Sequence, residues 1–198
     1  MPHGTDRSDP STTLISTAAQ GEPPKTYMAS LSPGEIGWNA AKAAAEALGG
    51  HLATITSQSE NDFVASLVDG DPRFATIPGS GHWYEPWLGG YQPEGSDEPA
   101  GSWSWVTGEP FTYTNWASGE PNNGLGGGDE DYLQLVRLRW ETVHRWNDLP
   151  ELGFDPQINV GIPVKGFFTE FDGATVRGSE GIDVIRVASG AVQVDARA

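Results

Sequence analysis

The sequence changes its period near residue 73, and that change limits the fold more than any other feature. Before it, two stretches read as helices. Ser32-Pro33-Gly34-Glu35 has the form of a capping box with proline at the first helical position. Behind it Ile36–Leu48 is rich in alanine, with Ala40, Ala44, Ala47 and Leu48 on one face, until Gly49-Gly50 stops it. Ser57-Gln58-Ser59-Glu60 repeats the box and opens a helix over Ser59–Val68, with Phe63, Val64 and Leu67 turned inward. Beyond residue 73 the helical period is gone. Short apolar clusters between Gly, Pro, Asn and Asp predict strands at Trp87–Tyr91, Trp103–Val106, Tyr132–Leu138, His144–Asp148 and Phe167–Phe171, with an earlier one at Tyr27–Leu31. The fold class is therefore α+β.

The 198 residues suit one domain with extensions. Residues 1–25, rich in Ser, Thr, Pro and Gly, read as a flexible arm, and 26–172 as the domain. Residues 173–198 form an extension in which Ile182–Val194 alternates around Ser189-Gly190, the pattern of a β-hairpin. Eight Trp, seven Phe and five Tyr provide core material for a chain that also carries 26 Gly and 15 Pro, so a loop-rich domain can fold around aromatic rings. Trp83, Trp87, Trp103, Trp105 and Trp116 are accordingly read first as core.

A net charge of −16 argues against nucleic acid or an anionic membrane as partner. No run of ~20 apolar residues exists to insert into a bilayer. The absence of Cys excludes thiolate chemistry and disulfides. His3, His51, His82 and His144 lack metal-ligand spacing and read as surface or hydrogen-bonded residues, which makes zinc an unpromising partner.

Three segments carry the chemistry: Glu120-Pro121-Asn122, Gly126-Gly127-Gly128-Asp129-Glu130-Asp131 and Trp146-Asn147-Asp148. The first two lie in Thr107–Asp131, a long stretch without regular pattern, and such loops are usually functional. Glu120, Asn122, Glu130, Asn147 and Asp148 offer the hard oxygen donors that suit Ca²⁺. Their carboxylates and carboxamides can also accept from and donate to vicinal sugar hydroxyls. A cis Glu120–Pro121 bond would aim both flanking side chains at one ion. Each segment alone reads as a turn, a solvated acidic patch or a core Trp beside a turn. The case rests on the three together.

From Lys25 to Asp172 the chain resembles a C-type lectin-like domain. The resemblance lies in Ala47-Leu48-Gly49-Gly50-His51-Leu52, Trp87-Leu88-Gly89-Gly90, Trp103-Ser104-Trp105, Thr114-Asn115-Trp116, Glu120-Pro121-Asn122, Trp146-Asn147-Asp148 and the closing Gly166–Phe171. It implies two helices flanking small antiparallel sheets with a long calcium-binding loop. It also implies that Glu120, Asn122, Glu130, Asn147 and Asp148 are both metal ligands and sugar contacts. A Glu-Pro-Asn motif in this family implies mannose, glucose, N-acetylglucosamine or fucose, where Gln-Pro-Asp would imply galactose. Asn123 and Asp131 stand where an auxiliary calcium site is sometimes built.

The family's two disulfides map to Ala45 with Thr169 and Tyr132 with Glu151, so this is similar to cysteine-free bacterial or phage variants. Val136–Arg145 and Leu149–Lys165 are longer than usual, and the second is expected to reshape or cover the sugar site. The expected partners are glycans, with a homo-oligomer formed through the C-terminal extension. The expected location is extracellular or on a virion or cell surface, although Met1–Arg7 shows no apolar signal-peptide core. The rival reading is a structural module of a virion or extracellular assembly in which calcium only stiffens the loop. Ice binding is a remoter one, and a glycosidase is disfavoured because carboxylates shared on one cation retain no proton to donate.

Overall fold

The computed structural model describes residues 25–124, 129–155, 160–172, 175–177, 184–186 and 193–195. Of the expected arm at 1–25, residues 1–24 lie outside them, and Lys25 belongs to the first strand. Strand β1 (Lys25–Leu31) is followed by helix α1 (Trp38–Ala47), strand β2 (His51–Leu52) and helix α2 (Gln58–Ser66). Then come β3 (Trp83–Tyr91), β4 (Ser104–Trp105), β5 (Tyr132–Arg137), β6 (Arg145–Leu149), β7 (Phe154–Asp155), β8 (Val160–Gly161) and β9 (Gly166–Asp172). The last strands are β10 (Thr175–Arg177), β11 (Val184–Arg186) and β12 (Gln193–Asp195).

The main sheet runs β11-β1-β9-β3-β5-β6, with β2 on β9 and β4 on β3. Side chains alternate across a strand, so each strand feeds two cores. Met28, Trp87, Phe167 and Phe171 meet α1 through Trp38, Ala41, Ala45 and Leu48. Tyr27, Leu88, Leu133, Leu135 and Phe168 join Val64 and Ala65 of α2 and a set of loop aromatics on the other side. Burial on both faces explains why the central strands read as short continuous apolar runs.

Helix α1 departs from expectation. It starts at Trp38, with Gly37 as N-cap and no side-chain cap, rather than behind Ser32-Pro33. The backbone before it is used elsewhere: Ser32 N–H donates to the Lys165 carbonyl at 2.8 Å and Ile36 N–H to that of Val164 at 2.9 Å. The buried face is Trp38, Ala41, Ala45 and Leu48, whereas Ala40 and Ala47 are exposed. The bulk of Trp38 sets the phase that alanine periodicity alone left one residue off. Helix α2 matches its reading closely. Ser57 caps it, accepting from Glu60 N–H at 3.2 Å, and Val64 and Leu67 are buried, with Phe63 partly so.

The stretch Ile182–Val194 is not a hairpin among the described residues. Strand β11 pairs antiparallel with β1, Met28 opposite Ile185, and β12 pairs parallel with β10. Residues of the long segment after β6 hydrogen-bond back along the start of α1, where Glu151 O accepts from Trp38 N–H at 2.8 Å, and to Thr76, whose hydroxyl donates to Pro163 O at 2.5 Å.

Candidate functional site

The long loop is shaped by aromatic packing around Trp146. Trp105, Phe111, Tyr113 and Trp116 place their ring centroids 5.5 to 6.0 Å from its ring. Its indole N–H donates to Asn61 Oδ1 of α2 at 2.8 Å. With the ring fixed, the loop backbone runs beside β6: Trp146 N–H donates to Asn115 O, and Ala117 N–H to Trp146 O, both at 2.8 Å. A turn, Glu120 N–H to Ala117 O at 3.0 Å, then brings Glu120 and the cis Glu120–Pro121 bond beside the end of β6. Trp87, Trp103 and Trp105 are core as read. Trp83 is instead half-buried, with the Arg137 guanidinium 4.4 Å over its ring.

The five expected residues converge here. Asp148 Oδ2 accepts from the N–H groups of Asn122 at 2.9 Å and Asn123 at 3.0 Å. Glu130 Oε2 accepts from Gly124 N–H at 2.7 Å, and Glu130 N–H donates to Asn123 Oδ1 at 3.2 Å. Asn147 Nδ2 donates to the Asp148 carbonyl at 2.7 Å. Asp148, Glu130 and Asn147 are buried, Glu120 half-buried and Asn122 exposed at the rim.

Two buried oxygens, Glu120 Oε2 and Asp148 Oδ1, have no hydrogen-bond donor. Burial, then the facing carboxylates of Asp148 and Glu130, push Glu120 up to about 8. Such a pair can be relieved by sharing a proton or by a cation between them. The donor set is all oxygen, carboxylate and carboxamide, with the Asp148 carbonyl oriented by Asn147. It fits a hard divalent ion such as Ca²⁺.

Two neighbours were not foreseen. Glu98 Oε2 accepts from Asn123 Nδ2 at 3.2 Å, and with Asp129 it adds to the burial that raises Asp131 to about 6. Glu98-Pro99 is a second cis Glu-Pro pair, but Glu85-Pro86 and Glu109-Pro110 share the dipeptide, so nothing in the sequence singled it out. Tyr84 is half-buried, and after burial itself the charges of Glu120 and Glu130 raise its hydroxyl.

Two histidines meet carboxylates from distant segments. His144, read as an ordinary surface or hydrogen-bonded residue, is buried, with Nε2 only 3.3 Å from Oε2 of the fully buried Glu85. His51, given no metal-ligand spacing in the sequence, comes within 4.8 Å of Glu170 and Asp172, ligand atom to ligand atom. Lys25 Nζ already lies 2.9 Å from Glu170 there.

The family model "Lectin C-type domain" matches residues 35–149. The chain belongs to the C-type lectin domain family. This is a non-enzymatic carbohydrate-binding fold. The chain is 32% identical over 112 residues to ladderlectin of Oncorhynchus mykiss, covering 57% of this chain and 50% of that protein. It thus spans about half the length of such curated relatives. The C-type lectin domain of murine dendritic cell inhibitory receptor 2, solved in complex with an N-glycan, superposes with a TM-score of 0.52 at 21% identity, over 79% of this chain and all of that one. A calcium-independent type II antifreeze protein superposes with a TM-score of 0.50 at 22% identity, over 78% and 93% of the two chains. The lectin fold therefore does not by itself decide the use of calcium, and the donor set of each chain must.

Proposed function

We propose that this lectin domain binds Ca²⁺ through Glu120, Asn122, Glu130, Asn147 and Asp148 and uses the same residues to hold mannose-, glucose-, N-acetylglucosamine- or fucose-type sugars on glycans. The observation that carries this reading is the pair of donor-less buried oxygens, Glu120 Oε2 and Asp148 Oδ1. A buried carboxylate oxygen left without a donor costs about 1–3 kcal/mol, and a cation removes that cost. When bound, the ion supplies a positive centre to which two vicinal hydroxyls can lend lone pairs. The chain's own part is to take their protons on Glu120 and Glu130 and to donate from the carboxamides of Asn122 and Asn147. The exposure of Asn122 at the rim supports its role as a ligand contact. Glycans of an extracellular or surface setting are the partners this chemistry suits, and no helix among the described residues is long and apolar enough to cross a membrane.

One observation favours a second reading. Asp148 and Glu130 also accept backbone N–H groups from Asn122, Asn123 and Gly124, so the carboxylates shape the loop as well. Calcium there could serve only to stiffen a structural module. Calorimetric titration with Ca²⁺, followed by a glycan array with and without chelator, separates the two. The lectin reading expects calcium heat and glycan binding that vanishes in chelator and in Asn122→Ala. Calcium heat with no glycan bound would leave the module; no calcium heat would end both. Glu120→Gln with Asn122→Asp should move preference toward galactose, and an unchanged mannose preference on the same array would contradict the assigned roles.

A further inference from the structure

Trp140 is the most exposed large apolar side chain among the described residues, 66% accessible, yet it is held in place. It sits in a turn closed by Glu141 N–H to Leu138 O at 2.9 Å. Its ring meets His82 edge to face at 4.8 Å and 85°, and the Arg139 guanidinium lies 5.6 Å from its centroid. Arg139 N–H donates to His82 Nδ1 at 3.1 Å, which assigns the ring proton of neutral His82 to Nε2, leaving that nitrogen as a donor. His82 in turn lies edge-on to Tyr84 at 6.3 Å and 78°.

This row is continuous with the lectin site. Tyr84 stands opposite Val136, and Val136 opposite Arg145. Arg145 and Asn147 are two residues apart on β6 and so share a sheet face. Arg145 also fastens the Trp140 turn to that strand, with Nε 3.3 Å from Glu141 Oε2, and donates from an Nη to Asn115 Oδ1 at 3.0 Å. The charges of Glu120 and Glu130 reach the Tyr84 hydroxyl, which ties the near end of the row to the site.

We propose that Tyr84, His82 and Trp140 form an aromatic rail that binds the outer residues of a glycan whose terminal sugar is held at Glu120, Asn122 and Asn147. The proposal rests on the sugar-binding reading above. A hexose has an apolar C–H face and a hydroxyl rim, which suits aromatic rings set in a row, each turned roughly at right angles to the next, with donors between them: the Tyr84 hydroxyl, His82 Nε2 and Arg139. A protein partner would need a broad patch, of roughly 1,000 Å² or more in total. The two residues from Asn147 to Arg145 and the two from Tyr84 to His82 span about 13 Å at ~3.3 Å per residue, roughly two or three sugar residues from the primary site.

The test compares methyl α-mannoside with a linear mannotetraose by calorimetry in calcium. In the unaltered protein the tetraose should bind more tightly. Trp140→Ala should weaken the tetraose by about 5–10-fold, as loss of one aromatic contact does, and leave the monosaccharide within about 2-fold. Trp140→Phe should restore most of the difference. Equal weakening of both ligands, or of neither, would overturn the rail while leaving the primary site standing. Failure of the unaltered protein to bind either sugar would overturn the sugar-binding reading and the rail with it. Trp140 is exposed, so its replacement leaves the core intact.

Discussion

Glu120 shows how a binding residue can weaken the fold that carries it. Its folded carboxyl is raised to about 8 by burial and by the like charges of Asp148 and Glu130. A carboxyl raised in this way contributes stability below its unfolded value and loses it as pH climbs through the folded one. Glu120→Gln should therefore raise Tm in chelator by ~2–5 °C at pH 8, as roughly 1 kcal/mol of relief does in a domain of this size. The same variant should lose the rise that calcium causes, and differential scanning calorimetry reads both. Because calcium must displace a proton from Glu120, its affinity should fall as pH drops below about 8 and level off above it, measured by calorimetric titration across that range.

Glu85 tests the same sign away from the site. Burial raises it against the lowering influence of His144 and Arg137, with Asp69 adding to the rise. Glu85→Gln should be more stable than the parent at pH 8, and the gap should narrow toward pH 5. A Glu85→Gln variant less stable than the parent at pH 8 would mean that the pair with His144 outweighs the burial.

Among the elements, α2 and β6 are joined by one side chain. Asn61 accepts from the Trp146 indole at 2.8 Å and donates to the His144 carbonyl at 3.3 Å, both in the interior. Asn61→Ala should cost about 2 kcal/mol, since a buried donor and a buried acceptor are both stranded. Urea denaturation should show the midpoint lowered with the slope unchanged. Calcium affinity should weaken too, because β6 carries Asn147 and Asp148. This junction also shows what could be read from the sequence. The strands were legible because their apolar clusters are bounded by Gly, Pro and Asn, and the Ser57 cap because its hydrogen bond is local. The join of Asn61 to Trp146 was not, since it depends on contacts 85 residues apart. The start of α1 was misplaced for the same reason: Ser32 and Ile36 pair with Lys165 and Val164, and local capping residues cannot foresee that. The site residues were legible as types in three segments. The register that orphaned one oxygen each on Glu120 and Asp148 appears only once β5 and β6 are paired.

At the scale of the whole molecule, the chain closes without covalent fastening. The cross-link positions that the family resemblance assigns to Tyr132 and Glu151 hold noncovalent contacts instead. Tyr132 lies 4.7 Å from the Trp38 ring, and Glu151 accepts from the N–H groups of Trp38 through its carbonyl and Asn39 through its carboxylate. The other two, Ala45 and Thr169, are simply buried. Near the N-terminal end of the described chain Lys25 meets Glu170 of β9 at 2.9 Å and Glu60 of α2 at 3.5 Å, and the Tyr27 hydroxyl donates to Glu60. A disulfide of this kind is worth ~2–4 kcal/mol, so a fold without any has reason to draw on ligand binding for stability. Calcium at a hundred times its Kd adds ~2.7 kcal/mol to the folded state. For a chain of this length that corresponds to a Tm about 5–10 °C higher in calcium than in chelator. Asn122→Ala should remove most of that shift while melting with the parent in chelator, because Asn122 is exposed and its backbone N–H, not its side chain, holds Asp148. A shift that survives Asn122→Ala and Glu120→Gln alike would place the stabilising ion elsewhere, with His51, Glu170 and Asp172 the first place to look.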